Sequence, residues 1–129
     1  MYGIFVNSAK VNYAGYIVSG KKTIETRSSN TLKKLVGRRV AVIETGKGPA
    51  QVIGYVDITH AAFCLSIYYD AWRNETMIPA GDKYDRFGTR DGVSGKWFYD
   101  LENAEKCTPY ELPDNAIRHG RSWCEFELN

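Results

Sequence analysis

The stretch that decides the fold reads VNYAGYIVSGKKTIETR and covers residues 11–27. Its apolar residues at positions 11, 14, 17 and 18 recur at helical spacing and predict a helix over residues 9–19, with Ser8 as the N-cap. Gly20 follows as a natural helix stop. The β-branched residues after it predict a strand over residues 22–27. A helix that leads through a glycine into a charged strand therefore organises the N-terminal part of the chain.

Outside this stretch, short strand patterns alternate with turns. A glycine inside a strand often marks a bulge or a barrel corner, and Gly54 is expected to do so here. Short strands with two helices predict an α+β fold, a small mixed β-barrel with two or more flanking helices. The length fits a single domain over residues 1–129. We predict strands over residues 2–6, 39–45, 51–59, 97–101 and 123–128, and a second helix over residues 65–74.

Residues 79–96 match neither a helix nor a strand pattern, because four glycines interrupt a run of charged and aromatic residues. A loop of this length in a small domain is either disordered or functional. We expect it to border the binding site and to shape its specificity. Its charged residues are the cations Lys83, Arg86, Arg90 and Lys96 and the acids Asp82, Asp85 and Asp91.

The composition is that of an ordinary globular protein, with 43% hydrophobic and 25% charged residues, which excludes disorder as the main state. Seventeen basic residues against 15 acidic ones give a net charge of +2. A dedicated duplex-DNA-binding protein carries a clear basic excess, so bulk attraction of a polyanion is not indicated. If nucleic acid binds to this chain, we expect a local groove and base stacking to matter more.

Several classes of protein are disfavoured by what the sequence lacks. No segment has the length and apolarity of a membrane span, and no signal peptide is visible, so we expect no membrane association. Cys64, Cys107 and Cys124 form no CxxC pair, and we expect reduced thiols in a cytoplasmic protein. His60 and His119 lie far apart, so we expect neither a metal site nor a cofactor.

Residues 20–27 (GKKTIETR) place cations and a carboxylate at short spacings directly after the helix stop. In an extended strand, Glu25 and Arg27 project from the same face and can form an ion pair. Lys22 lies at the turn into the strand and can bend over that face. The alternative is a solvated charged strand, which is common on small barrels. A phosphate-binding loop is disfavoured because Lys22 stands where such a loop needs Ser or Thr, and because the helix precedes the strand.

The pattern Gly20-x-Lys22-x-x-Glu25-x-Arg27 resembles the GxKxxExR signature of ASCH domains. Flanking segments resemble those of the family in the same order, so the resemblance covers nearly the whole chain. ASCH domains are similar to PUA domains, and the resemblance therefore implies a PUA-like β-barrel with a cleft between the barrel and the helices. The flanking segments are the helix before the motif (11–19), the next strand (37–42, GRRVAV), the strand with a Leu-Glu-Asn turn (97–103) and the closing Gly-aromatic segment (119–123).

The resemblance also implies a ligand class. The roles proposed for the family are binding of RNA or of a modified base. Some bacterial members hydrolyse the amide of N4-acetylcytidine, and others have been proposed to cleave RNA. By position, Lys22 matches the lysine of the amidohydrolases, but Glu25 stands where those enzymes have a threonine, which argues against deacetylation. Glu75 is the candidate for the second glutamate that they use.

The first functional interpretation is a module that binds RNA or a nucleotide, including a modified one, in a cleft around Lys22, Glu25 and Arg27. A splayed-out nucleotide is held by stacking on aromatic rings and by hydrogen bonds to its edge. Gly20 and Lys21 complete the expected ligand-binding motif. The candidate stacking rings are Trp72, Tyr84, Trp97 and Tyr99, each of which could instead be packed in the core.

The second interpretation is a hydrolase that acts on an amide or a phosphodiester in the same class of ligand. Lys22 would be the activated amine or would stabilise developing negative charge, and Glu25 would be the general base, oriented by Arg27. Neighbouring cations should lower the pKa of Lys22, whereas Glu25 should raise it. A third interpretation is a protein-interaction scaffold, in which backbone partners satisfy Glu25 and Arg27 and no cleft opens.

Overall fold

The computed structural model describes residues 1–128 as one curved, mixed β-sheet of eight strands with few short helices. The strands pair in the order β2-β6-β4-β3-β1-β8-β7, and β5 pairs with β6. The β1–β3 pair is parallel and the other pairs are antiparallel. The strands are β1 (Tyr2–Asn7), β2 (Ile24–Arg27), β3 (Arg38–Thr45), β4 (Gln51–Leu65), β5 (Gly88–Arg90), β6 (Val93–Glu111), β7 (Ile117–His119) and β8 (Trp123–Glu125). The α-helices are α1 (Tyr13–Val18) and α2 (Arg73–Thr76), and 3₁₀ helices cover Lys33–Leu35 and Ser66–Trp72.

The central strand β3 is buried on both faces. Val40 and Val42 belong to the core cluster that also contains α1, whereas Ala41 and Ile43 belong to a second cluster around Phe126. A strand with two buried faces has a continuous apolar run instead of an alternating pattern. This explains why residues 39–45 predict a strand so clearly.

Helix α1 packs on one face of the sheet through Ala14, Ile17 and Val18, which are buried in the first cluster. It begins at Tyr13 and is shorter than the predicted helix over residues 9–19. Ser8 nevertheless satisfies its first turn, because the Ser8 hydroxyl accepts a hydrogen bond of 3.0 Å from the Ala14 N–H.

The turn after α1 delivers the charged motif to the sheet. Gly20 has a φ of +79°, a left-handed conformation that glycine adopts without steric cost. The chain then folds back, and the Lys22 N–H donates to the Tyr16 carbonyl at 3.0 Å. Lys22 is thereby fixed at the end of the helix, immediately before β2.

The long strands β4 and β6 curl the sheet into a half-barrel. Their pairing shifts register between Val52 and Gly54 and at two further points, and such bulges bend and twist a sheet. The bulge predicted at Gly54 is confirmed. The prediction of a strand that ends at residue 101 is wrong, because β6 continues through Asn103, whose φ of +55° is a conformation that asparagine tolerates.

The predicted small mixed β-barrel is confirmed in part, because the sheet is a mixed β half-barrel with few short helices. Within residues 1–128, one helix reaches seven residues, the 3₁₀ helix Ser66–Trp72. Together with α2 it replaces the single helix predicted over residues 65–74. None of the helices described is long and apolar enough to cross a membrane.

The prediction that residues 79–96 form one loop is wrong in its second half. A loop extends over residues 79–87, which we call the lip, and a hairpin of β5 and β6 follows. Asp91 and Gly92 form its turn with φ of +52° and +79°, the pattern of a two-residue type I′ turn. Gly95 is needed because a Cβ there would lie 2.3 Å from the Cys64 carbonyl oxygen.

Gly54→Ala should destabilise the protein strongly. The added Cβ would lie 2.3 Å from the Glu105 carbonyl oxygen and 2.6 Å from Val18 Cγ1, so the strand pairing or α1 must shift. We expect a loss of about 3 kcal/mol in the free energy of unfolding, measured by urea denaturation. Gly37→Ala is the control, because its Cβ has no neighbour within 4 Å and its positive φ alone costs about 1 kcal/mol. Equal losses in the two variants would contradict the tight packing at the bulge.

Candidate functional site

The motif residues form a buried ion cluster. Lys22 Nζ lies 3.6 Å from Glu25 Oε1, and Arg27 Nη2 lies 3.2 Å from Glu25 Oε2. Glu25 and Arg27 share a face of β2, and Lys22 reaches them from the preceding turn. The exposed fraction is 1% for Lys22 and 7% for Glu25. These side chains therefore do not form a solvated charged strand.

The surroundings of Lys22 act on its charge in opposite directions: its polar and aromatic contacts favour the charged form, whereas its burial disfavours it. Its ammonium donates a hydrogen bond to the Thr76 carbonyl and lies 5.4 Å from the centre of the Tyr13 ring. Burial lowers the pKa of Lys22, Glu25 opposes this shift, and Arg27 adds to it. Burial is thus the main cause of the lowered pKa.

Glu25 is held in its charged form. Burial by itself would raise the pKa of the carboxyl, but Arg27 and Lys22 outweigh burial and lower it. The Thr26 N–H adds a hydrogen bond of 3.0 Å to Oε1. The cluster therefore contains a charged carboxylate between two basic side chains.

Arg27 connects this cluster to the opposite side of the half-barrel. Its Nη2 donates to the Phe5 carbonyl at 2.9 Å, and its Nη1 donates to Ser122 Oγ at 3.1 Å. The Ser122 hydroxyl in turn donates to Thr31 Oγ1 at 2.7 Å. Arg27 thus links β2 to β1 and to the turn between β7 and β8.

A cavity of about 610 Å³ opens beside the cluster. Its volume is within the range of small-molecule sites, about 300–1,000 Å³. Within residues 1–128, no group of three or more His, Cys, Asp or Glu side chains is arranged to hold a metal ion. The residues that line the cavity are Phe5, Val6, Asn7, Tyr13, Lys22, Glu25, Thr26, Arg27, Thr45, Ile78, Lys83, Tyr84, Arg118, Gly120 and Arg121.

Two basic residues hold the lip against the cavity. Lys96 is 3% exposed and donates to the Tyr84 carbonyl and, at 3.1 Å, to Thr26 Oγ1. Burial lowers the pKa of Lys96 to about 8, although Glu25 opposes the shift. Arg73 binds Asp85 at 2.7 Å. The lip is therefore anchored both to β6 and to the first residue of α2.

Two residues of the motif lie outside the cavity. Gly20 and Lys21 are both exposed, and neither lines it. Gly20 supplies the turn that positions Lys22, as described above. We therefore retain Lys22, Glu25 and Arg27 as the candidate site residues of the motif.

Of the four predicted stacking rings, the cavity contains Tyr84. Tyr99 is fully buried in the core, so its ring faces cannot stack on a ligand. Trp72 and Trp97 pack against nearby phenylalanines, with ring centroids 6.3 and 5.6 Å apart, and neither tryptophan lines the cavity. The structure thus places one of these four aromatic rings in the lining of the cavity.

Glu75 approaches the motif through its backbone. Its carbonyl accepts a hydrogen bond of 3.1 Å from the Thr23 N–H, so α2 lies against the turn before β2. The Glu75 side chain does not line the cavity, and its Oε2 is buried with no hydrogen-bond partner among residues 1–128. The Glu75 carboxylate therefore does not reach the cavity.

Tyr13, Arg118 and Arg121 line the cavity but were not identified from the sequence. Burial, followed by nearby Asp82, raises the pKa of Tyr13, whose hydroxyl has no hydrogen-bond partner in the described part of the chain. A tyrosine beside the apolar stripe of a helix is typical of a core residue, so the sequence pattern does not indicate that Tyr13 lines a cavity. Arg118 directly precedes the segment 119–123, and Arg121 lies within it. The pairing of β8 with β1 brings both arginines to the cavity from the far end of the chain.

The fold is similar to that of solved ASCH structures. ASCH from Zymomonas mobilis matches with a TM-score of 0.67 and 21% identity, over 85% of this chain and 73% of that chain. A serine-to-alanine and a tyrosine-to-phenylalanine mutant of ZmASCH match with the same TM-score, 22% and 21% identity, and coverage of 85% of this chain and of 74% and 76% of theirs. No protein-family model matches the sequence, and no curated protein matches it. Since similarity at this identity establishes the fold alone, an ASCH-like fold is confirmed and its function is a separate question.

Glu25→Gln should cost stability at neutral pH, because Lys22 and Arg27 lose their counter-charge inside the protein. We expect a loss of about 3 kcal/mol in the free energy of unfolding near pH 7. The pKa of Glu25 is lower in the folded than in the unfolded protein, so its contribution is present above pH 4.5 and is lost as the pH falls through the folded-state pKa.

The difference in stability between wild type and Glu25→Gln should therefore shrink below pH 4.5, as measured by urea denaturation across this range. Glu44→Gln is the control, because Glu44 lies 3.9 Å from Lys47 in a more exposed pair that should contribute little. A difference for Glu25→Gln that stays constant down to about pH 3 would show that its charge does not stabilise the fold.

Proposed function

We propose that the cavity binds RNA or a nucleotide, including one with a modified base, and that the base enters the cavity unpaired. The observation that carries this proposal is the buried acceptor–donor pair of Glu25 and Lys22 in the lining of a cavity of small-molecule size. Proteins recognise single-stranded RNA and nucleotides with hydrogen-bonding groups for the base edge and rings or apolar side chains for the base face. This cavity combines both features.

The polar part of the cavity suits the edge of a base. The charged Glu25 carboxylate can accept a hydrogen bond from an exocyclic amine. Lys22 has three N–H donors, one of which goes to the Thr76 carbonyl, so it can also donate to a base carbonyl or ring nitrogen. Arg27 holds the carboxylate in place through its own hydrogen bonds to Phe5 and Ser122.

The apolar part of the cavity suits the face of a base. Phe5, Val6 and Ile78 contribute apolar surface. The rings of Tyr13 and Tyr84 meet edge to face, with centroids 5.9 Å apart and an interplanar angle of 80°. Aromatic rings in this arrangement leave a ring face or edge for a ligand, and stacking of bases on such rings is tolerant of sequence.

The ASCH-like fold supports the same class of ligand, because the motif resemblance implies binding of RNA or of a modified base. The open cavity beside Glu25 and Arg27 also favours a ligand site over a protein-interaction scaffold. A scaffold would need these side chains only for the stability of the half-barrel.

A hydrolase of the same class of ligand is the second candidate. The observation in its favour is Lys22, whose pKa burial lowers and which is therefore better suited than an exposed lysine to exchange a proton. Glu25 is less suited to be the general base, because its lowered pKa makes it a weak proton acceptor. In this reaction Lys22 donates or accepts the proton, and Glu25 and Arg27 hold the Lys22 side chain in position.

Lys22→Met tests the binding site, because it removes the charge and keeps most of the side-chain volume. The affinity for a mixed-sequence, single-stranded RNA, measured by fluorescence anisotropy, should fall at least about tenfold, as expected for loss of a hydrogen bond to a charged group. Lys21→Met is the matched control, because Lys21 is exposed and does not line the cavity. Unchanged affinity in a folded Lys22→Met protein would show that Lys22 is not part of the binding site.

Mass spectrometry of the same proteins distinguishes a binding module from a hydrolase. Each protein is incubated with N4-acetylcytidine and with the RNA. A hydrolase should release the acetyl group or RNA fragments in wild type and in Lys21→Met, but not in Lys22→Met. Intact substrates in every sample would reject the hydrolase and leave binding as the function.

A further inference from the structure

The side chains that line the cavity carry a large excess of positive charge. Among residues 1–128, five cations line it, against one carboxylate, that of Glu25. The whole chain has a net charge of only +2, so this excess is local. The cations are Lys22, Arg27, Lys83, Arg118 and Arg121.

The five cations divide into two groups. Lys22 and Arg27 are paired with Glu25. Lys83, Arg118 and Arg121 have no carboxylate within 4.0 Å and no side-chain hydrogen bond among residues 1–128. We call these three residues the cationic rim. Three exposed cations at one cavity, none of which has an ion-pair partner within residues 1–128, can bind an anionic group of a ligand.

We propose that the cationic rim is a phosphate seat, and that the ligand of the cavity is a phosphorylated nucleotide in preference to a neutral nucleoside. The inference rests on the function proposed above and assigns a second, separate part of the same site. The base meets Glu25 and Lys22, and the phosphate meets Arg118, Arg121 and Lys83.

The position of Arg118 supports this assignment. Its guanidinium lies over the Phe5 ring, 4.8 Å from the ring centre, and Phe5 also lines the cavity. Stacking on a ring restricts the guanidinium plane and leaves the N–H groups at its edge available. An arginine edge matches two phosphate oxygens, whereas a neutral sugar or base offers no such charge.

The other two cations approach the cavity from different parts of the chain. Arg121 follows Gly120, which lies in the turn between β7 and β8 and has a φ of +63°. Lys83 lies on the lip, and its ammonium is 4.9 Å from the centre of the Tyr84 ring. The rim is thus built by tertiary structure, from a hairpin near the end of the chain and from the anchored lip.

Isothermal titration calorimetry with matched ligands tests the seat. The probes are the four common nucleosides, their 5′-monophosphates, inorganic phosphate and a short RNA without terminal phosphates. Wild type should bind at least one 5′-monophosphate or the RNA about tenfold or more tightly than any nucleoside. In the double variant Arg118→Gln/Arg121→Gln, which keeps Lys83, most of this preference should be lost, and nucleosides should lose less affinity than their phosphorylated forms.

Arg86→Gln is the matched control, because Arg86 is an exposed arginine of the lip that does not line the cavity. It should keep the wild-type ratio. If the affinity for the monophosphates depends on the two arginines, the ligand group is a terminal phosphate. If only the affinity for the RNA depends on them, the ligand group is an internal phosphodiester. Both outcomes support the seat.

Other outcomes would overturn the proposal in distinguishable ways. Equal affinity of wild type for nucleosides and for their phosphorylated forms would reject the seat and leave the proposed base site intact. A wild-type preference for phosphate that survives in the double variant would also reject it. Absence of binding to every nucleoside, nucleotide and RNA would reject the proposed function together with the seat. Binding of inorganic phosphate alone would reject a nucleotide ligand.

Discussion

The burial of Glu25 between Lys22 and Arg27 is the constraint on which the rest of the site depends. A carboxylate with an exposed fraction of 7% is stable in its charged form only if cations and hydrogen-bond donors surround it. Here the cations come from the turn before β2 and from β2 itself, so three residues of one short segment satisfy each other. The turn at Gly20 is what allows Lys22 to reach the carboxylate, because a continuous strand would direct it to the opposite face.

The same cluster connects elements that are distant in the chain. Arg27 reaches β1 and the β7–β8 turn through Phe5 and Ser122, and Lys22 reaches the end of α2 through Thr76. Lys96 adds another basic group, which donates to Thr26 Oγ1 next to Glu25 and holds the lip through Tyr84. Several of the segments that border the cavity are therefore anchored to the charged residues or to their immediate neighbours.

Local patterns in the sequence predict the parts of this structure that local interactions determine. The helix, the glycine turn, β2 and the core strand β3 follow from residue periodicity and from the conformational freedom of Gly20. The hairpin at Asp91 and Gly92 was missed although its turn dipeptide is a known signal, because the surrounding glycines resemble a loop. Residue periodicity gives no information on long-range strand pairing. Such pairing determines the continuation of β6 to residue 111, the burial of Tyr99 and the position of Arg118 at the cavity.

The most direct test of the central claim, that the ion cluster and its cavity form the ligand site, is a crystal structure of the protein with a bound nucleoside 5′-monophosphate. We expect the base beside Lys22 and Glu25, the phosphate beside Arg118 and Arg121, and the lip in contact with the ligand through Tyr84. A nucleotide bound on another surface, with the cavity beside Lys22 and Glu25 unoccupied, would show that the ion cluster does not form the ligand site.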